Sequence, residues 1–144
     1  MATIYGTLAE ADEYLADRAD CEHWLQLSID EKTRRLRTAT LDIEMEQYAG
    51  TKYDDDQELK FPRDDSEDGE VPDDIEHACY EQAAYVGTAR WKIRQQRIEA
   101  AEQGITSVNA GGVAETYTGR RISHLCARAA MLVRPYLLRI GKIV

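Results

Sequence analysis

The chain has 144 residues, enough for one domain with a substantial core, and its 43% hydrophobic and 31% charged residues are those of an ordinary globular fold. Three cysteines, with no leader and no long apolar run beside them, argue against a disulfide-stapled scaffold and a membrane protein, and the expectation is free thiols in a reducing cytoplasm. The net charge of −9 is local: residues 54–74 hold eleven acids and two bases, the remainder is neutral, and no acid occurs from Thr116 onward, so a uniformly basic wrapper of nucleic acid is excluded.

Thr7-Leu8-Ala9-Glu10 has the spacing of a capping box and predicts a first helix to about Ala19, with Leu8, Ala11, Tyr14 and Leu15 inward. Residues 21–27 read as one short turn carrying Trp24 and Leu25 into the core. Ser28-Ile29-Asp30-Glu31 is a second capping box. It predicts a helix over 29–48 that buries Ile29, Leu36, Ala39, Thr40 and Ile43, turns Lys32, Arg34, Arg35 and Arg37 outward, and ends at Gly50. Residues 50–71 form a long acidic loop, of which Asp54 to Glu70 are expected to be mobile in a free subunit and ordered by neighbours.

Pro72 suits the first position of a helix, and Asp73, Asp74 and Glu76 place negative charge at its positive end. No further proline occurs before Pro135, so the pattern predicts one helix of about thirty residues ending at Gly104. Ile75, Ala78, Cys79, Gln82, Val86, Ala89 and Ile93 form one stripe; Tyr80, Ala84, Gly87, Trp91 and Ile98 form another. A helix apolar on two sides belongs in the middle of the fold. Two short strands around Ala110-Gly111-Gly112 predict a hairpin over 105–118. A last helix from Ile122 or Ser123 would carry Leu125, Cys126, Ala129, Leu132, Val133 and Tyr136 on one face, and Pro135 would kink or end it. The fold class is therefore mainly α: a single domain, 1–144, built as a small helical bundle around one long central helix, with a short β-hairpin and an extended C-terminal tail.

Motifs for chemistry are sparse. Cys21-x-His23, His77-x-Cys79 and His124-x-Cys126 hint at zinc, but residues two apart on a helix point away from each other. Asp64-x-Ser66-x-Asp68-Gly69 resembles half of a calcium loop, yet the closing glutamate position holds Ile75, and a solvated acidic turn is the simpler reading. Gly111-Gly112 lacks the lysine of a phosphate loop, and no nucleophile–base spacing stands out. The chain thus reads as a non-enzyme without cofactor or metal. Single-strand binding needs exposed stacking aromatics beside a basic groove, whereas Trp24, Tyr80, Trp91 and Tyr136 fall on expected core lines.

Three segments carry a resemblance. They are residues 5–15, with Ala11-Asp12-Glu13-Tyr14; Trp24 with the Arg-x-Ala-Thr-x-Asp ending after Lys32; and Leu59-Lys60-Phe61-Pro62-Arg63 followed by Val71-Pro72-Asp73-Asp74-Ile75-Glu76. Together they resemble the head–tail connector (adaptor, head-completion) proteins of tailed bacteriophages, a group also labelled DnaT-like single-stranded-DNA-binding proteins.

The resemblance implies a structural virion protein of the neck, made in the host cytoplasm, that forms a homo-oligomeric ring, usually a dodecamer. Such a ring joins the portal to the stopper or tail-completion protein, and genomic DNA passes through it without sequence-specific contact; no membrane is involved. The alternative is a single-stranded-DNA-binding module, and a divalent-metal-dependent enzyme is a distant third. Arg134, Tyr136, Leu137, Arg139, Ile140, Lys142, Ile143 and Val144 combine basic and apolar side chains and are the expected portal-binding arm, with Tyr136 and Arg139 as anchors. Asp54, Asp55, Asp56, Asp64, Asp65 and Asp68 are the expected inter-subunit or partner loop.

Overall fold

A computed structural model describes residues 3–103, 107–110, 113–116 and 122–139. The architecture is mainly helical. In order the helices are α1 (Leu8–Ala16), α2 (Glu22–Leu25, entered through a 3-10 turn at Ala19–Cys21), α3 (Ile29–Glu44), α4 (Asp73–Tyr85), α5 (Ala89–Glu102) and α6 (Ala127–Val133, followed by a 3-10 turn at Arg134–Tyr136). Two antiparallel strands, β1 (Ser107–Ala110) and β2 (Val113–Thr116), pair from Ser107 opposite Thr116 to Ala110 opposite Val113. The chain divides into two compact units: a helical body, Met1–Val86 with Leu125–Val144, and a second unit, Gly87–His124.

In the body both caps form as their sequences dictate. The Thr7 hydroxyl accepts from the Glu10 N–H at 3.2 Å, and the Ser28 hydroxyl from the Glu31 N–H at 3.1 Å. The reciprocal half of the first box runs through a third residue. The Tyr80 hydroxyl accepts from the Thr7 N–H and donates to the Glu10 carboxylate, at 3.3 and 3.0 Å. This ties the start of α1 to the middle of α4, and Gly6, at φ +77°, leaves room for the Tyr80 ring tip.

α4 is the core of the body, with α1, α3 and α6 packed on it. It buries Ile75, Ala78, Cys79, Tyr80, Gln82, Ala83 and Ala84, more than one stripe, as a helix covered on several sides must. Its C-terminal carbonyls are taken up by side chains from elsewhere. His23 Nε2 donates to the Ala84 carbonyl at 2.7 Å, and Arg35 Nη1 to the Val86 carbonyl at 2.6 Å. Buried Gln82 accepts from the Cys126 N–H at 2.8 Å at the start of α6 and donates to the Asp42 carboxylate at 2.9 Å on α3. Buried Glu81 is paired with Arg18 and accepts from the Tyr14 hydroxyl.

Several sequence expectations are corrected. The single thirty-residue helix is two helices. Gly87 at φ +84° ends the first, and Thr88 caps the second by accepting from the Trp91 N–H at 3.3 Å. Both apolar stripes break with it: Ala89 and Ile93 are exposed and Trp91 is partly exposed, although Ile98 is buried. α1 and α3 stop at Ala16 and Glu44, short of Ala19 and Tyr48. Ile29 and Leu25 lie on the surface; of the turn at 21–27, Trp24 and Cys21 are enclosed. Lys32, expected to face water, is buried because Asp12 pairs with it at 2.9 Å and the Trp24 ring lies beneath its ammonium. The last helix begins at Ala127, with Cys126 as its N-cap, and Pro135 sits in the 3-10 turn beyond its end.

Candidate interaction surfaces

Phe61-Pro62-Arg63 organises the loop between α3 and α4. Phe61, the chain's one phenylalanine, is buried edge-on against Tyr48, Tyr136 and Tyr5, with centroids 4.6, 5.6 and 6.2 Å away. The Phe61–Pro62 bond is cis. Arg63 donates to the carbonyls of Ala49, Lys60 and Gly50, at 3.1, 2.9 and 2.6 Å, which closes the loop's two ends on each other. Bridges of Tyr53 N to the Pro62 carbonyl and Asp64 N to the Thr51 carbonyl add to the clasp. All these contacts lie within one chain and bring residues 49–53 against residues 60–64.

The acids of this loop fall into separate places. Asp54, Asp55 and Asp56 form an exposed turn closed by Gln57, whose side chain accepts from the Asp54 N–H and donates to the Leu59 and Pro62 carbonyls. Asp64 lies against Gly50. Asp65 and Asp68 instead line a groove of about 680 Å³ together with Glu70, Asp73 and Glu76. Phe61, Val71, Pro72 and Tyr136 supply its apolar lining. The half calcium loop is a turn satisfied internally: Ser66 Oγ donates to Asp68 and accepts from the Gly69 N–H, and Asp68 accepts from the Glu70 N–H. Those bonds hold the Asp68 carboxyl below its usual range, the backbone bond foremost. Among the described residues no group of three or more His, Cys, Asp or Glu is placed to hold a metal ion.

None of the five groove carboxylates has an ion-pair partner among the described residues. The Glu76 carboxyl is pushed above its usual range, by burial first and then by Glu10 and Asp73. A carboxyl whose folded pKa is raised costs stability when ionised, and the cost fades as pH falls through that raised value. Glu76→Gln is therefore expected to raise the thermal midpoint at pH 7 by roughly 1–3 °C after solvent screening is allowed for. The gain should shrink in acid, where Glu76 is already neutral; calorimetry from pH 7 down to 4 measures both.

The expected arm begins later than its sequence suggested. Tyr136 packs on Phe61 and donates to Asp74 at 3.2 Å; burial and then Asp74 raise its pKa. Leu137 pairs with Tyr48, and Leu138 N–H donates to the Gln47 carbonyl at 2.9 Å. Tyr136 and Leu137 thus belong to the body, because partners remote in sequence hold them. Arg134 and Arg139 are exposed, while Ile140, Lys142, Ile143 and Val144 lie outside the described residues.

The Gly87–His124 unit presents a different surface. It carries six cations against three acids, net +3, whereas the body carries twelve against twenty-four, net −12. On α5, Arg90, Arg94 and Arg97 recur at helical spacing, with Trp91 one turn from Arg94. Arg90, Lys92 and Arg97 are exposed, Trp91 partly so, and Arg94 donates to the Ser123 carbonyl at 3.2 Å. The interleaved Arg90-Trp91-Lys92-Ile93-Arg94 was the signal for this face; the reading of Trp91 as core concealed it.

A family model described as "Putative DnaT-like ssDNA binding protein" matches residues 2–143. The chain belongs to that family. No curated protein and no solved structure matches it. The DnaT-like label attached to the sequence resemblance is thereby supported, and the match says nothing of a phage connector. In the body Tyr5, Trp24, Tyr48 and Phe61 are enclosed and offer no stacking platform, and the half-exposed Tyr53 adjoins the acidic Asp54–Asp56 turn, which repels phosphate.

Proposed function

We propose that this DnaT-like protein binds single-stranded DNA through the Gly87–His124 unit, with Trp91 stacking on a base and Arg90, Arg94 and Arg97 facing phosphates. The observation that carries this reading is the partly exposed tryptophan set among exposed cations on α5, in a unit of net positive charge on an otherwise acidic chain. Stacking tolerates any base, and cation–phosphate contacts are sequence-independent, so the expected binding is non-specific. The family's description supports the same class of ligand. No catalytic step and no cofactor enter this reading.

Fluorescence anisotropy with labelled oligo(dT) tests it. Binding is expected to weaken with salt at a logarithmic slope of about −0.7 per phosphate neutralised. Since Trp24 is enclosed, quenching of tryptophan emission reports Trp91. No binding at about 10⁻⁴ M protein in low salt, the weak end of non-specific affinity, overturns the proposal. So does binding that survives Arg90→Glu combined with Arg97→Glu.

A second reading is the assembly subunit that the connector resemblance implies: a ring, probed as a dodecamer, that contacts portal and stopper proteins in the virion neck. The β1–β2 sheet favours it, since it has two strands among the described residues and a two-stranded hairpin is marginal in water without further pairing. Exposed Arg134 and Arg139 are available to a partner. Native mass spectrometry and co-sedimentation with portal test it; a monomer at every concentration that never sediments with portal rejects it.

A further inference from the structure

The groove beside Phe61 has a composition that the nucleic-acid reading leaves unused. Its lining is apolar at Phe61, Val71, Pro72 and Tyr136, and five carboxylates surround that lining without an ion-pair partner among the described residues. Its one lining cation, Arg63, is committed to three backbone carbonyls. A surface of this kind repels phosphate and suits a segment that is both cationic and apolar. Crowding of negative charge is already felt at Glu76, whose carboxyl is raised by burial and by its acidic neighbours.

The chain itself contains such a segment. Residues 138–144 read Leu-Arg-Ile-Gly-Lys-Ile-Val, with two cations, no acid and four large aliphatic residues. Its described start, Leu138 and Arg139, is exposed, and Leu138 is 47% accessible. That described start is held beside the groove and not in its lining. Tyr136 forms part of the groove lining, but Leu137 then pairs with Tyr48 and Leu138 bonds to Gln47, neither of which lines the groove.

We propose that the acidic groove of one chain receives residues 138–144 of a second copy, the aliphatic side chains covering Val71, Pro72 and Tyr136 and Arg139 and Lys142 meeting the carboxylates. The contact is heterologous, groove to tail, so two copies can close it by exchanging tails and a larger number can continue it into a ring or a filament. It gives the assembly reading a specific contact and rests on that reading alone.

Complementary charge reversal tests it on the full chain. Asp65→Lys with Glu70→Lys reverses the groove at two exposed loop positions, and Arg139→Glu with Lys142→Glu reverses the tail. By light scattering coupled to gel filtration, the wild type is expected to associate and each variant alone to associate at least tenfold more weakly. An equimolar mixture of the two should recover association, because each supplies what the other lacks. Matching far-UV circular dichroism confirms folding, and Asp65→Asn with Glu70→Gln replaces the groove variant if it misfolds, with weakened association still expected. Variants that associate like the wild type, or a mixture no better than its components, overturn the groove–tail contact while leaving assembly by other surfaces standing. A wild type that stays monomeric at all concentrations overturns both.

Discussion

Trp24→Ala is expected to destabilise the helical body by about 3–5 kcal/mol, while Trp91→Ala leaves that body's unfolding midpoint nearly unchanged and removes single-strand binding. The two tryptophans are chemically alike and differ only in surroundings. Trp24 is fully buried; its indole N–H donates to Asp12 at 2.8 Å, and Asp12 also pairs with Lys32, whose ammonium lies 5.9 Å above the ring. Truncation opens a cavity, removes one of Asp12's partners and strips the Lys32 stem of its cover. Trp91 sits in the Gly87–His124 unit and is partly exposed, so its removal takes little from the body's core. Urea unfolding followed by circular dichroism at 222 nm reads stability without relying on tryptophan emission. If Trp91→Ala proves the costlier change, or leaves oligonucleotide affinity intact, the division of labour between these residues is wrong.

What could be read from sequence was local. The Thr7 and Ser28 hydroxyls each accept from the N–H three residues on, because that half of a capping box needs nothing beyond its own turn, whereas the reciprocal half at Thr7 is supplied by Tyr80 and was not legible. The enclosure of α4 was legible in its two stripes. The break after it was not, because Val86, Ala89 and Ile93 extend the periodicity through Gly87-Thr88. A glycine followed by a threonine and then helix-forming residues is also a stop and a start, and this local chemistry prevailed over the period. Lys32 went the other way. Nothing within a turn of it announces Asp12 or Trp24, and those two residues make burial of its charge tolerable.

The candidate surfaces were legible in parts and not in their assembly. In sequence Asp54, Asp55, Asp56, Asp64, Asp65 and Asp68 read as one acidic loop, yet of these only Asp65 and Asp68 line the groove, since the Arg63 clasp and the Gln57 turn fold the segment on itself. The apolar lining joins Phe61 and Pro72 to Tyr136, more than sixty positions later, a juxtaposition no periodicity encodes. Tyr136 and Leu137 looked like the start of a free arm for the same reason: Phe61, Asp74 and Tyr48 hold them from a distance in sequence.

Gly6→Ala is expected to cost roughly 2–5 kcal/mol, and the Tyr80 hydroxyl should account for part of that loss. Gly6 adopts φ +77°, a conformation that costs an L-residue about 1–2 kcal/mol. A Cβ there would also overlap the Tyr80 ring tip, its hydroxyl first. To make room, the ring must withdraw, and the hydroxyl then loses both the Thr7 N–H and the Glu10 carboxylate that it bridges. Each such loss is worth about 1 kcal/mol, more where the group left behind is shielded from water. Tyr80→Phe alone removes the bridge while keeping the ring and should cost about 1–2 kcal/mol. In the double variant the hydroxyl can be neither displaced nor deprived of partners, so the combined loss should fall short of the sum by about 0.5–1.5 kcal/mol. Denaturant unfolding of the four proteins measures this coupling. Strict additivity would mean that the hydroxyl bridge is not lost when a Cβ is added at Gly6, leaving the backbone conformation and the overlap with the Tyr80 ring carbons as the whole cost.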